Sequence, residues 1–346
     1  MGRFFSLLLF LIVISVVVAF LYKNYRFDTE NVVNVFSSRK EELLRNLFQK
    51  FTEKTGVKVR YINDEAAQLI SRMESEGSHS RADVFLTADA VNLILAKKNG
   101  LLQEVNSQIL NKAVPQKYRD AKGYWFGLTK RARIIVYNKE LVDSKELSTY
   151  EDLSNVRWKD KILVRSSNNP YNQSLIAFMI ANNGEQNTRA WVKGLVNNMA
   201  RKPSGGDTDQ IYAVAAGEGS IAIVNSYYFG RILASQQEKD KQFAKKLSIF
   251  FPNQNTTGVM VNISGGAVTK YAKNKDSAIR LLEFLVSSEA QKIYAEANQE
   301  YPIIEGVDYS DILKSWGTFK ESDLPLQELE SHLKQSVKIA DEEGWK

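Results

Sequence analysis

The 346-residue chain has no cysteine, which excludes disulfides, thiolate metal centres and cysteine nucleophiles together. Histidine is almost as scarce, with His79 and His332 the two present. A Ser-His-Asp triad would have to use one of them, and neither lies in a motif resembling a nucleophile elbow. No HExxH, P-loop or GxGxxG run occurs, and no internal repeat or low-complexity linker interrupts the order of the chain. The formal charge of +6 is diffuse, with basic and acidic residues interleaved in stretches such as 'KDKQFAKK'. A basic stripe or motif of the kind that marks nucleic-acid binders is missing, so no nucleic-acid partner is expected.

What is present is the composition of a folded protein, 44% hydrophobic and 25% charged, long enough for two domains with separate cores. At the amino terminus Arg3 precedes the apolar run 'FFSLLLFLIVISVVVAFLY' at 4–22. A basic residue before such a run is an export pattern, and its length approaches the ~20 residues that span a bilayer. No small-x-small cleavage site or lipobox cysteine follows. The expectation is a periplasmic body behind a signal sequence or signal anchor at 1–30, with an uncleaved tether to the inner membrane left open.

From residue 31 strands and helices alternate. 'NVVNVF' (31–36), 'VKVRYI' (57–62) and 'ADVFLT' (82–87) read as strands, and the segments between them carry helical periodicity. Ser37 or Ser38 is the expected cap of the first helix and Gly56 its stop. 'YWFGLTKRARIIVYNKE' keeps strand character without a helix, and 'TTGVMVNISGGAVTK' (256–270) reads as a return. 'KILVRSS' (161–167) and 'SIAIVNS' (220–226) are further strands, and 'KDSAIRLLEFLVSSEAQKIYAEA' reads as one helix. This predicts an α/β protein of two lobes hinged by two extended crossings, with a cleft between them. The first lobe takes 31–129 and 258–300, the second 130–257 and 301–346.

Ligands of open α/β sheets sit beyond the carboxyl ends of strands, where helix amino termini point. Four such corners carry polar chemistry: 'FSSRKEE' (36–42), 'LTAD' (86–89), 'SSNNPYNQS' (166–174) and 'NSYYFGR' (225–231). An isolated Tyr-Tyr pair is ordinarily packing. At a strand-to-helix turn, however, adjacent side chains are released from facing opposite sides of a sheet. Tyr227 and Tyr228 can then face the cleft together, with Tyr171 from the third corner. Phenolate is a hard oxygen donor suited to Fe3+, and a bound cation supplies the drive to ionise a group whose free pKa is about 10. Arg131, Arg133 and Arg231 are candidate charges to support the anionic form. Asp89 reads as a helix cap and His79 as an exposed loop residue.

Taken in order, 'SSRK', 'GSHSRADVFLTAD', 'FGLTKRARIIVYN', 'LVRSSNNPYNQSL', 'DTDQIYAVAAGEG', 'AIVNSYYFGR', 'FFPNQN', 'VNISGGAV' and 'SSEAQ' make the body resemble the periplasmic ferric-binding proteins of ABC iron importers. The likeness is to their tyrosine-rich branch. It implies a hinged two-lobe periplasmic binding protein, type II-like, that captures Fe3+ and delivers it to an inner-membrane permease and its ATPase. It further implies a monomer that binds and does not catalyse. Tyr171, Tyr227 and Tyr228 become iron ligands, and Arg131 and Arg231 charges beside them. The first corner departs from the pattern, with Lys40 and Glu41 where that branch has histidine and tyrosine. Glu41 is then a candidate oxygen ligand and Lys40 a partner for it or for an anion. A synergistic anion such as carbonate or citrate, held by Ser166 and Ser167, is the other way to complete the site. The alternative is the same scaffold tuned to an organic cation or an oxyanion. An enzyme on this scaffold finds no nucleophile with a base to support it.

Overall fold

The computed structural model describes residues 31–346, so the apolar run at 4–22 lies outside the described residues. Strand β1 (Val32–Ser37) is buried except at half-buried Asn34, as its mainly apolar sequence requires of a strand covered on both faces. Helix α1 (Arg45–Thr55) buries Leu47, Phe48 and Phe51 along one stripe and stops at Gly56, whose φ of 71° is the left-handed cap glycine accepts. Neither serine of 'SSRK' caps it. The Ser37 hydroxyl accepts from the Arg39 backbone N–H, the Ser38 hydroxyl donates to Thr87 Oγ1, and a 3-10 turn (Glu41–Leu43) comes between. The chain needs those serines to shape the corner.

Strands β2 (Lys58–Asn63) and β3 (Val84–Thr87) lie parallel to β1 on either side, joined through α2 (Ala66–Glu76). Helix α3 (Ala90–Lys98) follows β3, its first turn capped by the Asp89 carboxylate, which accepts from the Val91 N–H; α4 (Gln108–Ala113) comes next. The 13-residue β4 (Phe126–Asn138) then runs through both halves of the molecule. Up to Ala132 it pairs antiparallel with β8 (Val261–Val268), and from Arg133 it pairs antiparallel with β6 (Ile221–Asn225). The change of partner between Ala132 and Arg133 marks one crossing, and the passage from β7 (Leu247–Phe250) to β8 marks the other. With β5 (Ile162–Leu163) parallel to β6, the sheet order is β2-β1-β3-β8-β4-β6-β5, and β7 and β9 (Tyr301–Pro302) also pair with β4. The chain is a mixed α/β protein of two lobes sharing long strands.

The second lobe carries α5 (Pro170–Asn183), α6 (Glu185–Asn197), α7 (Asp207–Ala216), α8 (Ser226–Ala234) and α9 (Glu238–Lys246). Returning through β8, the chain places Gly265 where a Cβ would meet the Phe126 backbone oxygen at 2.7 Å, so the close approach demands glycine. The single helix expected after β8 is two, α10 (Lys275–Leu285) and α11 (Ser288–Asn298). The Ser287 hydroxyl starts the second by accepting from the Ala290 N–H. The strand expected at 161–167 shortens to two residues because the chain turns at Ser166 to begin the loop before α5. Beyond β9, α12 (Asp311–Ser315) packs on α8, Glu321 then pairs with Val259, and the last helix, α13 (Leu329–Glu342), packs on α5 of the second lobe.

Candidate functional site

All four polar corners open on one cleft of about 570 Å³. The first lobe contributes Ser38, Arg39, Lys40 and Ala88 to its lining, and the second contributes Arg165, Tyr171, Tyr227, Tyr228 and Arg231. A larger hollow of about 740 Å³ lies against α13, walled by Lys334, Lys338 and Trp345. It holds no phenol, so volume alone does not locate the chemistry.

The three tyrosines converge because two helices start at the cleft. At α5, Asn169 caps the helix by accepting from the Tyr171 N–H and Pro170 occupies the first position, which fixes Tyr171 in the opening turn. At α8, Tyr227 and Tyr228 follow Ser226 directly. Their rings lie 4.2 Å apart between centroids, tilted by 30°, so both lean the same way. The Tyr171 and Tyr227 hydroxyls share a hydrogen bond of 3.3 Å. Burial pushes the Tyr227 phenol well up, with the neighbouring Tyr171 and Tyr228 adding to the rise and Arg131 opposing it. Burial, then Tyr171 and Asp207, likewise raises Tyr228. Both phenols therefore keep their protons at neutral pH.

Guanidinium groups surround Tyr171. Arg131, Arg165 and Arg133 lie 5.5, 5.5 and 6.0 Å from its ring centroid. Asp207, fully buried, fixes Arg133 at 2.6 Å and Arg165 at 3.5 Å. Asp89 sits 3.4 Å from Arg131, which also donates to Ala88 O. Two helix amino termini and three guanidiniums, partly offset by Asp207 and Asp89, favour the anionic form of a group beside Tyr171.

Three residues picked from the sequence stand elsewhere. Glu41 faces outward: its carboxylate takes hydrogen bonds from Tyr61 and from Arg45 at 2.7 Å, which hold it below the usual carboxylate range. An i,i+4 partner on the exposed helix face claims it. The Ser167 hydroxyl donates to Trp345 O, and the Ser166 hydroxyl accepts from the Asn168 N–H. Both serines fold the loop and do not line the cleft. Arg131 lies behind Tyr171, Arg231 reaches the rim and pairs with Glu42 at 2.9 Å, and Lys40 lines the cleft.

Sequence reasoning missed Arg39, Asn63, Asp64, Glu65, Arg165 and Glu300, all of which line the cleft. Arg39 and Glu300 form a buried pair of 2.7 Å across 261 positions, a separation no local pattern reveals. Asn63 has a local signal, being the last residue of a strand; its amide donates to Ser37 O and Arg39 O and holds the corner in shape. Among the described residues no group of three histidine, cysteine or acidic side chains is placed to hold a metal ion.

Two lobes that share strands and meet over a polar cleft define the class of hinged solute-binding proteins. Within it, the chain belongs to the bacterial extracellular solute-binding protein family, whose model matches residues 46–321. Among curated relatives, iron uptake protein A1 of Synechocystis is 45% identical over 91% of this chain and 87% of its own length. The fold is similar to a Trichodesmium protein solved with iron and citrate ligands, at 48% identity and a TM-score of 0.87, covering 91% of this chain and all of that one. A ferric binding protein from Campylobacter jejuni matches with a TM-score of 0.88 at 43% identity, again over 91% of this chain and all of its own.

Proposed function

We propose that the chain is the exported solute-binding subunit of an ABC iron importer, taking Fe3+ in the interlobe cleft through the phenolates of Tyr171, Tyr227 and Tyr228. The observation that carries this is the convergence of three phenols on two helix amino termini, with two of the hydroxyls 3.3 Å apart. Three phenolates neutralise the ion, and Arg131 and Arg231 offset further negative charge. The lobes, 31–129 with 258–300 and 130–257 with 301–346, close on the ion and open at an inner-membrane permease driven by its ATPase. The protein works as a periplasmic monomer by binding and not by turnover, with the leader either removed or kept as a tether. Spectral titration with ferric iron tests the reading: a visible phenolate-to-iron band supports it, and its absence removes it. The cations on the cleft wall support an oxyanion as the second reading, and calorimetry with molybdate in place of iron separates the two.

A further inference from the structure

We infer that the end of the first lobe farthest from the cleft is a docking face for an anionic phospholipid surface. This rests on the reading in which the leader is kept as a tether, and it does not depend on which solute the cleft takes. Strands β1, β2 and β3 finish at the cleft, where Ser38, Asn63 and Ala88 line it. The sheet order sets their starts and the end of β8 side by side at the opposite end, within three strand spacings, or ~15 Å. Positive charge gathers there. Lys58 opens β2, Arg81 precedes β3, and the turn from β8 into α10 carries Lys270, Lys273 and Lys275, all of them exposed. Arg81, Lys270, Lys273 and Lys275 make no ion pair among the described residues.

The turn that bears the lysines is fixed. The buried Asp83 carboxylate accepts from the Asn34 N–H and the Asn274 N–H, each at 2.9 Å, and the Thr269 hydroxyl donates to Ala82 O. Glu74, Glu104 and Asp276 are exposed acids at this end, Lys98 at the end of α3 offsets one of them, and Lys54 is already matched by Glu289. The balance stays positive. Tyr271 stands among the lysines, 41% exposed, with Lys270 Nζ 5.3 Å from its ring centroid. An exposed phenol amid cations suits the headgroup level of a bilayer, where tyrosine is enriched.

The occupant follows from where the chain enters. Residue 31 leads into β1 at this same end, and the Lys58 N–H donates to Asn31 O at 2.8 Å. Residues 23–30 alone separate it from the apolar run at 4–22, and eight residues reach no more than ~28 Å. A bilayer holding that run therefore lies nearer this face than the cleft, which is ~20 Å further along the six residues of β1. Each lysine or arginine at an anionic surface adds attraction that decays within a Debye length, ~8 Å at physiological salt. Docked in this way, the body turns its cleft outward to incoming solute, and it must leave the lipid before it can turn toward a permease.

Because the chain has no cysteine, one introduced cysteine carries a fluorescent donor at a single place. Ala67 and Ser78 are exposed at the two ends of α2, ~16 Å apart at ~1.5 Å per residue, the first near the cleft and the second on the proposed face. Full-length Ala67→Cys and Ser78→Cys are placed in nanodiscs whose headgroups carry the acceptor, made of phosphatidylcholine alone or with phosphatidylglycerol added. Energy transfer from position 78 is expected to exceed that from 67 by a margin that grows about twofold or more with phosphatidylglycerol. The margin should return to its neutral-lipid value in about 1 M salt. Combining Arg81→Gln, Lys270→Gln, Lys273→Gln and Lys275→Gln, all on exposed groups, should abolish the growth and leave the visible iron band unchanged. A margin equal in neutral and anionic discs, or one that the combined variant keeps, overturns the docking face. Flotation of the full chain with phosphatidylcholine vesicles reads the tether by itself. A chain left behind there has no anchor, which overturns the tether reading and this proposal together, while the iron band still reports the cargo.

Discussion

The phenols of Tyr227 and Tyr228 are raised by burial, so in the unloaded cleft they are protonated at neutral pH. Under the proposed ligand set, binding a trivalent cation strips those protons, and the sign of the pH dependence follows. Protons bound before and lost after loading make capture weaker as pH falls, by about tenfold per pH unit for each proton released. Ferric titrations across a pH series check this, and affinity rising toward acid would contradict the ligand set. Tyr171→Phe and Tyr227→Phe are expected to weaken the visible band and to lower affinity by more than about tenfold, read in the same titration. Glu41→Ala should leave affinity unchanged, because its carboxylate is already engaged by Tyr61 and Arg45 on the outer face.

At the scale of elements, the loop ahead of α5 is held by the far end of the chain. The Trp345 indole N–H donates to Arg165 O at 3.0 Å, the Ser167 hydroxyl donates to Trp345 O, and the Trp345 ring is fully buried, edge-on to Trp191. Trp345→Ala is expected to cost about 3–5 kcal/mol of stability, measured by denaturant unfolding, and to loosen the turn that presents Tyr171. This buttress was not legible in the sequence, because its parts lie 180 positions apart and neither end has a repeating pattern. Local signals served well where physics is local. The apolar runs of β1 and β3, Gly56 as a stop, and Asp89 as a cap all follow from neighbouring residues. The polar strand-to-helix corners were readable for the same reason, and they open on one cleft. Local signals misled where a side chain had a better partner at a distance, as with Ser38, drawn to Thr87 and so unavailable to cap α1. Arg39 and Glu300 went unread because their pairing is decided entirely by the way β8 and β9 return to the first lobe.

For the whole molecule, two contacts bridge the lobes on either side of the cleft. At the rim Glu42 accepts from Arg231 at 2.9 Å, and at the floor Asp89 accepts from Ser174 at 2.8 Å. The rim pair is exposed on both sides, so Glu42→Gln should shift the balance toward the open form by only about 0.2–1 kcal/mol, seen as a small rise in radius of gyration by X-ray scattering. Ser174→Ala removes a partner from a buried carboxylate and should shift it more, by about 1–3 kcal/mol, with faster release of bound iron in stopped flow. All three phenols belong to helices of one lobe, and the opposite wall, where Arg39, Lys40, Asp64, Glu65 and Glu300 lie, adds no phenol. Under the proposed ligand set, swinging the halves apart exposes the cargo without detaching it. Unloading at the membrane then becomes a chemical event at a single half, needing acid, an electron or a competing chelator, and mechanical opening only grants it access.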